Sequence, residues 1–200
     1  MADKLFADLI EEEYDILKSF VRGVKFVKDT AVYVGIQEKD SSRKKDKDVT
    51  NAELAYIHTY GSPINNVPPR PFLQPAIENS VDQINKHMRS ALVNAVEGNE
   101  AESIVELEKA GMTGQNKTRA WFVNDDNGWA PNTPAVRARK MKKGSTNPRP
   151  LIDTGELRKS ITYFVKRKYQ IAQAKKAGID YKVGADSAPE QTEEIRLAGF

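Results

Sequence analysis

Residues 75–96 read PAIENSVDQINKHMRSALVNAV. Ile77, Val81, Ile84, Met88, Ala91, Leu92, Ala95 and Val96 recur in steps of four and three, which lays one apolar stripe along a helix of about 20 residues. Pro75 suits the first turn, where its missing N–H costs nothing. Gly98-Asn99 interrupts the pattern, and Ala101, Ile104, Val105 and Leu107 resume it to about Gly111. The stretch before this helix is its opposite in character. Residues 62–75 hold five prolines, Pro63, Pro68, Pro69, Pro71 and Pro75, and each removes a donor and restricts the residue before it. An extended, polyproline-like arm follows, anchored by Phe72 and Leu73. Upstream again, NAELAYIHTY (51–60) is a short helix capped by Thr50 or Asn51 and stopped at Gly61.

The N-terminal 4–21 segment is an amphipathic helix: Leu5, Phe6, Leu9, Ile10, Ile16, Leu17, Phe20 and Val21 keep helical spacing, and Gly23 ends it. Thr30–Gln37 (TAVYVGIQ) is β-branched and aromatic, hence a strand. Residues 38–49 are charged and Ser-rich, a mobile exposed loop. Trp121, Phe122 and Trp129 lie in a Gly/Asn/Asp-rich stretch with Pro131 and Pro134, an ordered loop whose aromatics pin it to the core. The basic stretch 137–149 (RARKMKKGSTNPR) is a second mobile loop. Around DTGEL the chain turns and enters a strand through Ser160-Ile-Thr-Tyr-Phe-Val, with a further strand at Ile179–Gly184 and a tail at 186–200. The expected fold is one α+β domain over 1–200. In it an antiparallel sheet of three or more strands packs against the long helix and the N-terminal helix, with extended loops and the Pro-rich arm.

Composition closes several routes to function. The chain has 200 residues, 31 Lys+Arg, 28 Asp+Glu, two His and no Cys. Disulfides, thiolate metal sites and thiol nucleophiles are therefore excluded, and two histidines cannot make a multi-histidine site. No cofactor or metal is expected. The N-terminus carries five acids before residue 14 and no unbroken apolar run, so it does not read as a signal peptide. Nor does any stretch read as a membrane span. A cytoplasmic site of synthesis and assembly is the expectation.

Charge is unevenly placed. From Arg137 to Lys176, 13 Lys and Arg face two acids, Asp153 and Glu156. Such a segment suits an acidic partner, nucleic acid or an acidic protein surface; its bland counterpart is a solvated loop beside a strand with lysines on the wet face. Candidate contacts to DNA or a partner are Arg137, Arg139, Lys140, Lys142, Lys143, Arg149 and Arg158.

Catalytic chemistry finds no footing. Ser160 lacks a nucleophile elbow, His58 sits between tyrosines as a packed or hydrogen-bonded imidazole, and His87 falls on the polar side of its helix. GMTGQNKT has the wrong spacing for a phosphate loop. The chain does not read as an enzyme.

Two stretches remain. Residues 55–78, AYIHTYGSPINNVPPRPFLQPAIE, hold a rigid arm between two helices. Residues 150–163, PLIDTGELRKSITY, make a tight turn into a strand; Asp153 or Thr154 accepts backbone N–H bonds, Gly155 supplies a positive φ, and Leu157 and Ile161 point inward. Together these resemble the tail-completion and virion-morphogenesis proteins of long-tailed bacteriophages. The resemblance rests on Tyr60, Gly61, Pro68, Pro69, Arg70, Pro71, Phe72, Leu73 and Pro75, and on Asp153, Thr154, Gly155, Leu157, Ser160 and Ile161, with Trp129 and Arg137–Lys143 upstream of the turn. It covers about a quarter of the chain. The two motifs stand in reversed order here, as after a circular permutation.

The resemblance implies a structural subunit of the virion neck, a sixfold ring of copies around the DNA channel that joins tail to head. Its implied partners are the head connector or adaptor, the tail terminator or tail tube, and DNA in the lumen. Two alternatives stand beside it: a DNA-binding protein working through 137–176, and a tail terminator or adaptor in an adjacent ring.

Overall fold

The computed structural model describes residues 2–37, 41–43 and 49–167, with the backbone alone for residues 2–10. In chain order these form α1 (Ala2–Lys28), β1 (Thr30–Ile36), α2 (Asn51–Tyr60), α3 (Leu73–Glu78), α4 (Val81–Val96), α5 (Glu100–Trp121), α6 (Pro134–Lys142), α7 (Glu156–Ser160) and β2 (Ile161–Arg167). The α+β expectation is overturned. Among the described residues the protein is mostly helical, and β1 and β2 pair as one antiparallel two-stranded ribbon. The expected strand at Ile179–Gly184 lies outside the described residues, as does the 186–200 tail.

Helix replaces expected loop for physical reasons that differ from place to place. Gly111 and Gly114 do not end a helix; they lie inside α5. A Cβ at Gly111 would press on the Tyr163 ring and Val32, and one at Gly114 on Val34 and Ile77. The lost helix propensity, about 1 kcal/mol per glycine, is offset by letting the ribbon lie directly on α5. The surface beneath it continues the same small-residue row: Ser103, Leu107, Ala110 and Thr118 are all buried. In the basic stretch, Pro134 occupies the first turn of α6 and the Thr133 hydroxyl accepts from the Val136 N–H. Residues 134–142 are thus a capped helix, not a mobile loop.

The long helix at 77–96 is in fact two. Asn79 Nδ2 donates to the Pro75 carbonyl at 2.8 Å and Ser80 Oγ to the Ala76 carbonyl at 2.7 Å. These side chains compete with the backbone ladder, and the chain breaks between α3 and α4. The N-terminal helix, in contrast, runs through Gly23 to Lys28.

The described residues divide into two compact units, with boundaries inside β1, α5 and β2 and between Phe72 and Leu73. The first holds α1, α3, α4, most of α5 and the facing parts of the ribbon. Its buried apolar residues are Phe26, Ala76, Ile84, Ala91, Ala95, Leu107 and Ala110. Ser19 Oγ donates to the Val96 carbonyl at 3.1 Å, and Ser103 Oγ to that of Ala91 at 2.7 Å, so α1 and α5 are both tied to α4. Glu100 receives Arg22 at 3.1 Å and Arg167 at 3.2 Å. Tyr33 and Phe164 stack across the ribbon at 4.8 Å.

The second unit holds α2, the Pro-rich arm, the loop after α5, α6 and α7. Its buried apolar residues are Phe72, Phe122, Leu157 and Ile161. A reciprocal capping box opens α2: Thr50 Oγ1 accepts from the Glu53 N–H, and Glu53 accepts from the Thr50 N–H. Ser41, expected on an exposed loop, is buried; its carbonyl and hydroxyl accept from the N–H groups of Asn51 and Ala52.

Candidate functional site

Of the two motifs singled out in the sequence, residues 55–72 and 150–162 fall within the second unit, where each is fastened by polar ties to backbone, while Leu73 and Pro75 belong to α3 in the first. After Gly61, a Ser62–Val67 bridge closes a tight turn and the arm runs on from Pro68. The Arg70 N–H donates to the His58 carbonyl, and its guanidinium reaches the Ala130 carbonyl at 3.0 and 2.9 Å and that of Pro131 at 3.3 Å. Trp129 Nε1 donates to the Pro71 carbonyl at 2.8 Å. Phe72, 3% exposed, meets the Phe122 ring at 4.9 Å, and Phe122 meets Trp129 edge-on at 5.6 Å. The arm is a strap held to the 124–131 loop, and of the three aromatics expected to pin that loop to the core Phe122 and Trp129 meet the arm. Trp121 is the exception: it ends α5.

The second motif is a tight turn into α7 and an entry to β2. Thr154 Oγ1 accepts from the Glu156 N–H at 3.3 Å, and Gly155 has φ 78°. Leu157 and Ile161 are buried, and Ser160 Oγ donates to the Leu157 carbonyl at 2.8 Å. Arg119 clasps the carbonyls of Lys159 and Ile161. Asp153 stays at the surface, 3.3 Å from Lys143, where an exposed pair contributes little.

The basic residues separate into two groups. Lys140 is 6% exposed, and its ammonium donates to the Arg149 carbonyl at 2.7 Å and the Ile152 carbonyl at 2.6 Å. Between those carbonyls Leu151 takes a left-handed φ of 57°, a conformation costing about 1–2 kcal/mol, and the lysine clamps both ends of that turn. Burial pushes the Lys140 pKa down. Arg149 is engaged by the Val123 carbonyl and Asp125, and Arg158 by the Arg119 carbonyl. Arg137, Arg139, Lys142 and Lys143 remain exposed. Residues 168–176, the rest of the basic segment, lie outside the described residues. An open cleft of about 280 Å³ lies beside α6, lined by Phe122, Trp129, Pro131, Arg137, Pro148 and Arg149 among others.

The histidines do structural work. His87, expected to face solvent, has Nδ1 2.8 Å from Glu106 Oε2 and joins α4 to α5. His58 is packed, and its buried Nδ1 has no hydrogen-bond partner. Burial, then the nearby Arg70 and Arg43 cations, push its pKa down to about 4. The folded state therefore excludes a proton that the unfolded chain accepts near pH 6.5. Stability from this source is whole above that pH and falls as pH drops toward about 4. Allowing for partial solvent screening, the loss is about 2 kcal/mol. Urea unfolding at neutral pH and near pH 4.5 should show His58→Gln losing less stability than the parent by that amount.

Comparison with protein-family models, curated proteins and solved structures finds no match. Among the described residues no group of three or more His, Asp or Glu is placed to hold a metal, and no helix is long and apolar enough to cross a membrane.

What sequence reading missed lies in the first unit. On α1 Ser19 and Gly23 pack on α4 and Phe26 is buried, whereas Tyr14, Ile16, Leu17, Phe20, Val21 and Val24 are 38–63% exposed. The expected stripe of an amphipathic helix is here the uncovered side. Its signal was available: Gly23 and Phe26 lie about half a turn from Val21 and Val24, so α1 has two faces to cover.

Proposed function

We propose that this chain is a non-enzymatic structural subunit of a long-tailed bacteriophage neck, joining tail to head within a ring around the DNA channel. The observation that carries the reading is the uncovered apolar face of α1. Its large side chains Tyr14, Leu17, Phe20, Val21 and Val24 are each 38–62% exposed, and a contiguous apolar patch of this kind marks an interaction site. A chain carrying it is suited to life inside an assembly. The two motifs add the family resemblance, and the clamped strap gives a rigid surface with little conformational entropy left to lose on docking. Its partners would be copies of itself in a hexameric ring, the head connector or adaptor, and the tail terminator or tail tube. Channel DNA would pass through the lumen, and the protein's place would be the virion after assembly in the host cytoplasm. A ring of one-way contacts would use different surfaces of each subunit.

A second reading, DNA binding, is favoured by the four exposed cations Arg137, Arg139, Lys142 and Lys143. The native mass, measured with and without duplex DNA at about 50 and about 200 mM salt, separates the two. The neck reading expects a mass that DNA leaves unchanged at both salts. A DNA complex that weakens steeply between them would overturn it and make α6 the working surface.

A further inference from the structure

The uncovered face of α1 has a definite register. Tyr14, Leu17, Val21 and Val24 follow steps of three, four and three, the spacing of a helix–helix seam, and their midpoint is near residue 19. All four are exposed, and they lie across the helix from Ser19 and Gly23, which face α4, and from the buried Phe26. A helix apolar on two sides needs two neighbours, and the described chain provides one.

Charge along α1 selects the second. Glu11, Glu12, Glu13 and Asp15 occupy one half, and Lys18, Arg22, Lys25 and Lys28 the other. The helix dipole accounts for Lys25 and Lys28 in the last turn but not for the acids at 11–15 or for Lys18 and Arg22, because its influence fades within the first and last turns. Glu11 lies nine residues inside a helix that starts at Ala2, and Lys18 ten residues before its end at Lys28. Laid side by side in parallel, two such helices would set acid against acid. Laid antiparallel about residue 19, they set Tyr14 against Val24 and Leu17 against Val21, with Glu11–Glu13 alongside Lys25 and Lys28 of the second copy.

We infer that in the free protein α1 is the interface of a two-fold homodimer, paired antiparallel with α1 of a second copy. Such a contact is self-complementary. It draws on the same uncovered face that supports the neck reading, but the cross-linking below tests the antiparallel pair alone, whereas the DNA-dependent mass tests the neck reading. A one-way ring would use another surface or exchange this one.

Because the chain has no cysteine, disulfide trapping tests the register directly. In an antiparallel pair, residues 14 and 24 of different copies face each other, while 14 and 14 are offset along the axis by about 15 Å, ten residues of rise. Under mild oxidation Tyr14→Cys/Val24→Cys should run mostly as a covalent dimer, and Tyr14→Cys and Val24→Cys alone should not. Leu17→Asp changes an exposed residue away from α4. It should halve the native mass at the same concentration and leave the circular dichroism unchanged. Equal cross-linking by the single variants, no cross-linking by the double variant, or an unchanged mass for a folded Leu17→Asp would each overturn the inference.

Discussion

Gly23→Ala should lower the stability of the protein by about 2 kcal/mol, and Gly23→Leu should cost more and free α1 from α4. Helix propensity alone predicts the opposite sign, since alanine in a helix interior is favoured over glycine by about 1 kcal/mol. Packing decides the outcome. A Cβ at position 23 would sit inside contact distance of the Ala95 carbonyl and the Val96 Cα, and main-chain atoms in α4 have no rotamer to escape into. The helices must part, which breaks the Ser19–Val96 hydrogen bond and uncovers Phe26, 7% exposed in the intact fold. Overpacking of this kind costs roughly 1–3 kcal/mol for a single methyl and rises with size. Gly35→Ala is the control, because a Cβ there meets nothing within 4 Å. Urea unfolding of the three variants gives the answer. A stabilised Gly23→Ala would mean that α1 does not approach α4 this closely.

Arg70→Ala should cost about 3 kcal/mol, with Arg70→Lys recovering less than half. Arg70 is 8% exposed, and its guanidinium bonds two consecutive carbonyls through two of its nitrogens. Burial draws its pKa down, yet a guanidinium stays charged. Charged hydrogen bonds contribute roughly 1.5–3 kcal/mol each, and an ammonium lacks the planar fork that reaches both acceptors. The loss should be local as well as global. With the strap loosened, Trp129 loses its bond to Pro71, so its fluorescence should shift to the red before the main unfolding transition. A loss below about 0.5 kcal/mol in thermal or urea unfolding would mean that Arg70 is ornamental to the strap.

These two residues show where sequence reading succeeds and where it stops. Arg70 belonged to a stretch already marked by its prolines, and the strap, its aromatic anchors and the turn at Thr154-Gly155 were legible because local backbone chemistry dictates them. The strand at 30–36 and the helix–strand step at 156–167 were legible for the same reason. Gly23 and Gly111 read in the sequence as helix ends, and both lie inside helices. Glycine ends a helix or allows close approach to it, and only the neighbour distinguishes the two. Lys140 shows the same limit from the polar side: in a run of five cations within the seven residues 137–143, nothing local tells which ammonium turns inward to hold the carbonyls around Leu151.

The linear order of residues thus settled the short-range features: proline-stiffened arm, capped α2, periodic α4, the absence of cysteine chemistry, and the uneven charge. Tertiary structure alone decided which face of α1 is covered, that the strands form a ribbon on α5, and which cations remain at the surface. The division follows range. Caps, turns and periodicity are set by residues within about four positions of one another. Burial is set by contacts such as Ser19 with Val96 or Arg70 with Ala130, 77 and 60 residues apart, for which the chain carries no local sign.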